Sequence, residues 1–205
     1  MREKETATPL LFLRHGETDY PEERYYCDQK VDPPLNERGR EQADRIVARF
    51  EGLSVKTVYV SPSLRARQTA APTLKFLGLE PILAKELRER DFGAWEGLTT
   101  DEIDVRFPEG RKMLFTNPMT YAPEGGENLI SFGRRIDGFV NEKIKAHRGS
   151  MILFVTHVGP IRAAVTTAVG IPITHYRRLV VANGSLTRID YTDSWPNLVA
   201  FSLVP

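Results

Sequence analysis

Two short runs, Leu10-Leu11-Phe12-Leu13 and Met151-Ile152-Leu153-Phe154-Val155, carry no polar residue on either alternation. A strand with one wet face alternates polar and apolar side chains, so runs like these belong in a sheet covered on both sides, which is characteristically parallel and flanked by helices. Each run stops at polar residues, Arg14-His15-Gly16 in one case and Thr156-His157 in the other. The intervening sequence supplies helices. Asn36 can cap one whose Ala43, Ile46, Val47 and Phe50 share a face, with Gly52 ending it. A second strand spans residues 55–60, and Ser61-Pro62 turns the chain into a helix over residues 64–76 that Pro72 should kink or shorten. A short apolar run covers residues 81–84. Leu129, Phe132, Ile136, Phe139 and Val140 recur at helical spacing, and Gly159-Pro160 opens a helix to about Val169, stopped by Gly170 and Pro172. Residues 179–182, 185–191 and 198–203 read as strands, joined by turns at Asn183-Gly184 and Trp195-Pro196-Asn197. The pattern predicts a three-layer α/β/α sandwich with a mostly parallel central sheet and an antiparallel edge.

Residues 90–128 interrupt the alternation as a long irregular stretch carrying Phe92, Trp95, Phe107, Met113, Phe115 and Tyr121. They read as an insertion packed over one end of the sheet, within one domain over residues 1–205. Its apolar side chains either line a lid or form a small core of their own, and packing favours the core. Lys and Arg number 28 against 27 Asp and Glu, so the chain has no net field for a nucleic-acid backbone or an anionic membrane, and neither is an expected partner. Met1-Arg2-Glu3-Lys4-Glu5 does not read as a signal peptide, and no segment is long enough to span a bilayer. The single cysteine, Cys27, excludes an internal disulfide. A cytoplasmic location is therefore expected. Oligomeric state is open, a homodimer included.

In parallel sheets, ligands bind at the carboxyl ends of the strands. Polar groups follow buried strands at three places: residues 14–18, 61–69 and 156–159. Together they offer two histidines, arginines and a helix N-terminus, a set suited to a phosphoryl group. Guanidinium forks and oriented N–H groups bind its oxygens, while a neutral imidazole can attack phosphorus. Gly16 lets the backbone approach an anion closely. Other residues read as structural. Arg67 lies two positions from Arg65, on another helix face, and is a solvated charge. His147, before Arg148-Gly149, complements a helix C-terminus. His175 is unassigned, and Gly125-Gly126-Glu127 reads as a turn with Glu127 near the positive end of the next helix. Cys27 has no helix terminus or paired base beside it that would make the thiol reactive. The sequence has no His-Glu-x-x-His, paired-cysteine, Walker or dinucleotide glycine motif, so neither a metal nor a cofactor is expected.

Leu13-Arg14-His15-Gly16-Glu17-Thr18 resembles the opening signature of the histidine phosphatase superfamily, which includes the cofactor-dependent phosphoglycerate mutases. Further blocks match in order: Pro34-Leu35 with Gly39 and Gln42-Ala43, residues 61–70, Leu87-Arg88-Glu89 with Gly93 to Gly97, Gly125-Gly126-Glu127, and Thr156-His157. The resemblance implies a phosphoglycerate mutase-like fold. It implies that His15 is the nucleophile, that Arg14, Arg65 and His157 bind the phosphoryl oxygens together with Gly16, Thr18 and Val158, and that Glu89 is the proton donor. Arginines neutralise charge on equatorial oxygens, and an alkoxide leaving group needs a proton. Asp19-Tyr20-Pro21 stands where many relatives place Trp-Asn. Tyr26-Cys27-Asp28 and Asp32-Pro33-Pro34-Leu35 resemble a segment of alpha-ribazole phosphatases, with Asp28 in place of a glycine. The expectation is a metal-independent phosphomonoester hydrolase acting through a phosphohistidine on a small organic phosphate, alpha-ribazole phosphate among the candidates. The alternatives are a phosphoglycerate mutase, for whose extra closing segments 205 residues leave little room, and a catalytically idle phosphate-binding member.

Overall fold

The computed structural model describes residues 6–21, 23–27 and 30–205; Met1–Glu5 and Asp28 lie outside them. The elements run β1 (Thr8–Arg14), α1 (Glu37–Arg45), β2 (Val55–Val60), α2 (Leu64–Leu77), β3 (Pro81–Leu83), α3 (Thr100–Arg106), α4 (Pro108–Thr116), α5 (Leu129–Ala146), β4 (Met151–Thr156), α6 (Val158–Ala168), β5 (Leu186–Tyr191) and β6 (Pro196–Leu203). The sheet order is β3-β2-β4-β1-β5-β6. The first four strands are parallel, and β5 and β6 are added antiparallel. Leu10 and Phe12 join Ile152 and Phe154 in a core under α5 and α6, while Leu11 and Leu13 join Leu153 and Val155 in a second core under α1 and α2. The lack of a polar face in β1 and β4 thus has its expected cause: each alternation meets a layer of helices. In the parallel pairing Arg14 sits beside Thr156 and Val60 beside Val155, so the three polar strand ends converge at one edge.

Four local expectations need correction. Pro72 does not shorten α2, which runs on to Leu77 and closes on Gly78 at φ 65°. The proline removes one N–H, its own, on a half-exposed face where water can serve the carbonyl left over. The α1 helix ends at Arg45 and tightens into a 3-10 turn over Ile46–Phe50, which buries Ile46 and Phe50 and leaves Val47 half-buried. Residues 179–182 are not a strand. Side chains take their backbone groups: Arg162 Nε donates to the Leu179 carbonyl, Arg14 Nη1 to the Val181 carbonyl, and the Ala182 N–H donates to Ser202 Oγ. Residues 100–116 are helical where an irregular chain was expected. Thr99 and Glu102 form a reciprocal capping box, and Pro108 occupies the first turn of α4. Both signals were present in the sequence.

Candidate active site

His15 follows β1 directly and is held on both sides: its N–H donates to the Thr156 carbonyl at 2.9 Å, and its own carbonyl accepts from Gly184 N–H at 3.1 Å. Its ring Nδ1 lies 2.8 Å from the Gly16 carbonyl. A carbonyl can only accept, so Nδ1 carries the proton and Nε2 keeps its lone pair. Burial first, then the charges of Arg65 and Arg14, hold this imidazole well below its ordinary proton affinity, against the opposing Gly16 bond. The ring therefore stays neutral where a free histidine would begin to protonate.

Arg65, on the first turn of α2, is only 1% exposed. Nη2 donates to His157 Nδ1 at 3.0 Å, yet its buried Nε and Nη1 have no hydrogen-bond partner. The nearest carboxylate oxygen, of Asp32, is 3.6 Å from Nη1, and the Tyr26 ring lies under the guanidinium at 4.5 Å. Buried cationic donors without acceptors mark a place where an anion belongs. Asp32 is otherwise engaged in capping α2, taking the Leu64 N–H at 2.9 Å. That frees the helix's own N-cap residue, Ser63, whose hydroxyl joins Ser61 around His157 Nε2, at 3.2 and 2.8 Å.

His157, the N-cap of α6, is as buried as Arg65. Because Arg65 can only donate, His157 Nδ1 must accept, which puts the proton on Nε2, facing the serines. Burial, Arg65, His15 and Arg14 lower its proton affinity as well. Both ring nitrogens are thereby engaged within the protein, and the ring centroid lies 5.1 Å from that of His15. The geometry has His157 hold Arg65 in place. Gly16, expected against an anion, packs instead against the backbone of Gly39, where a Cβ on either glycine would clash. Its N–H donates to Thr69 Oγ1 at 3.0 Å.

Glu89 reaches the same place from the segment after β3. One oxygen accepts the Arg90 N–H at 2.8 Å and the other the Gly159 N–H, in the first turn of α6, at 3.0 Å. Gly159 is required: a Cβ there would land on the Glu89 carboxylate and press on Phe132. Arg135 of α5 fixes this segment by donating to three carbonyls of its backbone, those of Glu86 at 2.6 Å, Arg88 at 3.0 Å and Glu89 at 3.2 Å. Glu127 clamps Arg135 through both oxygens at 2.7 and 2.6 Å, and one of them also takes the Asp91 N–H at 3.0 Å. Its carboxylate therefore serves Arg135, and Asn128 caps α5 in its place.

These groups open onto a cleft of about 570 Å³ lined by Arg14, His15, Thr18, Arg65, Glu89 and Val158 among others. Gly16 and His157 stand behind this lining. Sequence reasoning passed over the outer wall, which includes Tyr20, Tyr25, Tyr176, Arg162 and Arg177. Of the large apolar residues in 90–128, Phe92 lines the cleft, Trp95 is buried against Tyr121 at 5.8 Å, and Met113 and Phe115 face solvent. Cys27 is buried, its Sγ 3.5 Å from Asp91 Oδ1; His147 Nε2 meets Tyr59 Oη at 2.9 Å; Arg67 and His175 are exposed. Among the described residues no group of three His, Cys, Asp or Glu side chains could hold a metal ion, and no helix is long and apolar enough to cross a membrane.

The family model for the histidine phosphatase superfamily (branch 1) matches residues 10–203. The chain belongs to this superfamily. It is 29% identical over 181 residues to phosphoserine phosphatase 1 of Hydrogenobacter thermophilus, covering 88% of this chain and 85% of that one. It is 31% identical over 185 residues to a probable phosphoglycerate mutase GpmB of Cronobacter sakazakii, covering 90% and 86%. Among solved structures, the alpha-ribazole phosphatase from Shigella flexneri superposes with a TM-score of 0.85 at 25% identity, over 95% of this chain and 96% of that one. The superfamily fold agrees with the layered sheet described above.

Proposed function

We propose that this chain is a phosphomonoester hydrolase that works through a phosphohistidine at His15. One observation carries the reading: a neutral histidine with its lone pair on Nε2 sits against a buried guanidinium, Arg65, that has two unpartnered donors. A dianionic phosphoryl group supplies the missing acceptors, with Arg14 and Arg65 drawing charge from its oxygens. His15 Nε2 attacks phosphorus, the bond to the ester oxygen breaks, and Glu89 gives that oxygen its proton. Water then attacks phosphorus and loses a proton to the Glu89 carboxylate, the phosphorus–nitrogen bond breaks with its electron pair returning to His15 Nε2, and inorganic phosphate is released. Thr18 and Val158 complete the wall beside the phosphoryl group. A mutase shares the first half of this sequence and differs in passing the phosphoryl group to an alcohol. The substrate is a small organic phosphate, with alpha-ribazole phosphate a candidate on the strength of the structural neighbour and Tyr26-Cys27. Cys27 is the single cysteine of the sequence, so no internal disulfide can form, which supports a reducing, cytoplasmic setting.

The test is rapid mixing with a phosphate-labelled ester, a denaturing quench at alkaline pH where phosphohistidine survives, and peptide mapping. Label on His15 within the first turnover is the expected result. Release of phosphate with no labelled histidine would overturn the covalent route.

A further inference from the structure

A guanidinium as buried as that of Arg65 is costly without an opposing charge nearby. The Tyr26 ring covers one face of it at 4.5 Å and His157 Nδ1 accepts from Nη2 at 3.0 Å, which leaves Nε and Nη1 as the edge open to an anion. Among the described residues one carboxylate comes within ion-pair distance, that of Asp32, with Oδ1 3.6 Å from Nη1. This is too long for a hydrogen bond and short enough for charge to act. Both Asp32 oxygens turn instead to the Leu64 N–H, at 2.9 Å each, where the carboxylate also opposes the positive end of α2. The chain around Asp32 holds it at that distance. Pro33 and Pro34 follow it and keep its backbone extended. Leu35 is then buried, its N–H donating to Gln68 Oε1 of α2 and its carbonyl accepting from Arg40 Nη1 of α1, both at 2.7 Å. Asp32 does not line the cleft, so it reaches a ligand only through Arg65.

We propose that Asp32 is the standing counter-charge of Arg65, a positioning residue that steadies the buried cation while the site is empty and, acting through it, limits how tightly the phosphate product is held. The inference rests on Arg65 receiving the phosphoryl group, as in the function proposed above. An arriving dianion supplies the acceptors that Nε and Nη1 lack, and Arg65 then has two anions beside it, of which one is fastened to two helices and cannot withdraw. The repulsion between them falls on the ligand. A hydrolase has to part with phosphate in every cycle, and tight binding of a ground-state ligand gains it nothing in rate. Capping accounts for the bond to Leu64 but not for an ionised residue there, since serine, threonine or asparagine caps as well, and α2 already has Ser63 at its N-cap position.

Binding of inorganic phosphate to the wild-type and Asp32→Asn proteins, by calorimetry, tests this without turnover. Asparagine keeps an oxygen for the Leu64 N–H and removes the charge. Phosphate should bind the variant roughly 5- to 20-fold more tightly at low ionic strength, as expected when a like charge is removed from partly solvated surroundings, and the ratio should shrink as salt is added. A residue that only capped α2 would give a ratio of one at every salt concentration. Thermal melts provide a second readout. Without phosphate the variant should melt below wild type, because Arg65 has lost its counter-charge, and saturating phosphate should close most of that gap. Asp32→Ser, also a neutral cap, yields the same two readouts if the asparagine variant folds poorly. Equal or weaker phosphate binding by the neutral variants, a melting gap that phosphate leaves unchanged, or no phosphate binding by any of these proteins overturns the assignment. Failure of the phosphohistidine reading would show separately, as unlabelled His15 in the wild-type protein, and would leave the phosphate affinities readable.

Discussion

The two walls of the cleft are built differently. The inner wall, with His15, Arg65 and His157, hangs on adjacent parallel strand ends and helix starts, and these three side chains are nearly inaccessible to solvent. The outer wall, with Tyr20, Tyr25, Phe92 and Arg177, comes from loops and 3-10 turns, and most of its side chains keep some exposure. A sheet buried on both faces has little freedom to move a residue at its edge, which suits that edge to the group proposed to meet phosphorus in line. Loops can vary without disturbing the core, which suits them to reading the remainder of a substrate. The difference also explains how relatives named for phosphoserine, phosphoglycerate and alpha-ribazole phosphate can share one fold.

If the inner wall holds the chemistry, changes there should reduce turnover far more than they disturb folding. His15→Ala should have the largest effect, lowering kcat/KM for any ester by roughly 10⁴-fold or more while leaving the thermal transition cooperative. Residual activity within tenfold of wild type would remove His15 from the reaction. Glu89→Gln comes next. Single-turnover phosphorylation by an alkyl phosphate should slow ~100-fold or more, as for loss of a general acid. Nitrophenyl phosphate should be much less affected, because nitrophenolate departs without a proton. Equal slowing with both esters would reassign the proton donor.

Arg135 sharpens the contrast, since it is outside the cleft lining and holds the segment that carries Glu89. Arg135→Gln loses the clamp on the Glu86, Arg88 and Glu89 carbonyls, and misplacing Glu89 should cost roughly tenfold on the alkyl ester. The loss should again be smaller on nitrophenyl phosphate. A purely structural Arg135 would lower stability and slow both esters alike, so the leaving-group dependence separates the two roles.

The inner wall also makes a prediction about pH. His15 and His157 have proton affinities below the ordinary value of 6.5, so below that pH the unfolded chain binds protons that the folded chain refuses. Unfolding free energy therefore falls as pH drops from the ordinary imidazole range toward the folded values, and is unaffected by these groups above it. Denaturant melts between pH 7 and pH 5 should show this slope, and His15→Asn combined with His157→Asn should flatten it. An unchanged slope in the double variant would mean that other groups carry the acid sensitivity.

The inner wall was legible in sequence because its signals are local. Apolar runs that end in arginine or histidine state both the buried strand and the group at its end. The roles of His157 and Gly16 were harder to read, since the partners Ser61, Ser63 and Gly39 become neighbours only through the sheet order and the packing of α1. Glu127 reads in sequence as a turn residue near a helix start and nothing there singles out Arg135; that the two embrace the Glu89 segment follows from how α5 crosses it. Residues 179–182 misled for a related reason: their apolar pattern suits a strand, but their carbonyls orient Arg14 and Arg162. For α3 and α4 the signal lay in the sequence, in Thr99, Glu102 and Pro108, and the aromatic residues around it drew attention to packing instead.

The smallest expected effect bears on the outer wall. Phe115 and Met113 sit on α4, one 68% and the other 39% exposed, and neither lines the cleft. If α4 were a lid that folds over a bulky leaving group, these apolar side chains would be its natural contact surface, and their exposure would reflect an open state. The Phe115 ring already has a partner, the Arg111 guanidinium at 4.5 Å, and Arg111 is bonded in turn to Asp104 at 2.9 Å. That ties α4 to α3, whose first residue, Thr100, lines the cleft while no residue of α4 does. Phe115→Ser should therefore change stability by no more than about 0.5 kcal/mol, as for an exposed site outside the core, and leave kcat/KM for large and small phosphoesters in the same ratio. A selective loss on the bulky ester would show that α4 closes over the substrate, and would extend the outer wall to a helix that in this conformation stands apart from it.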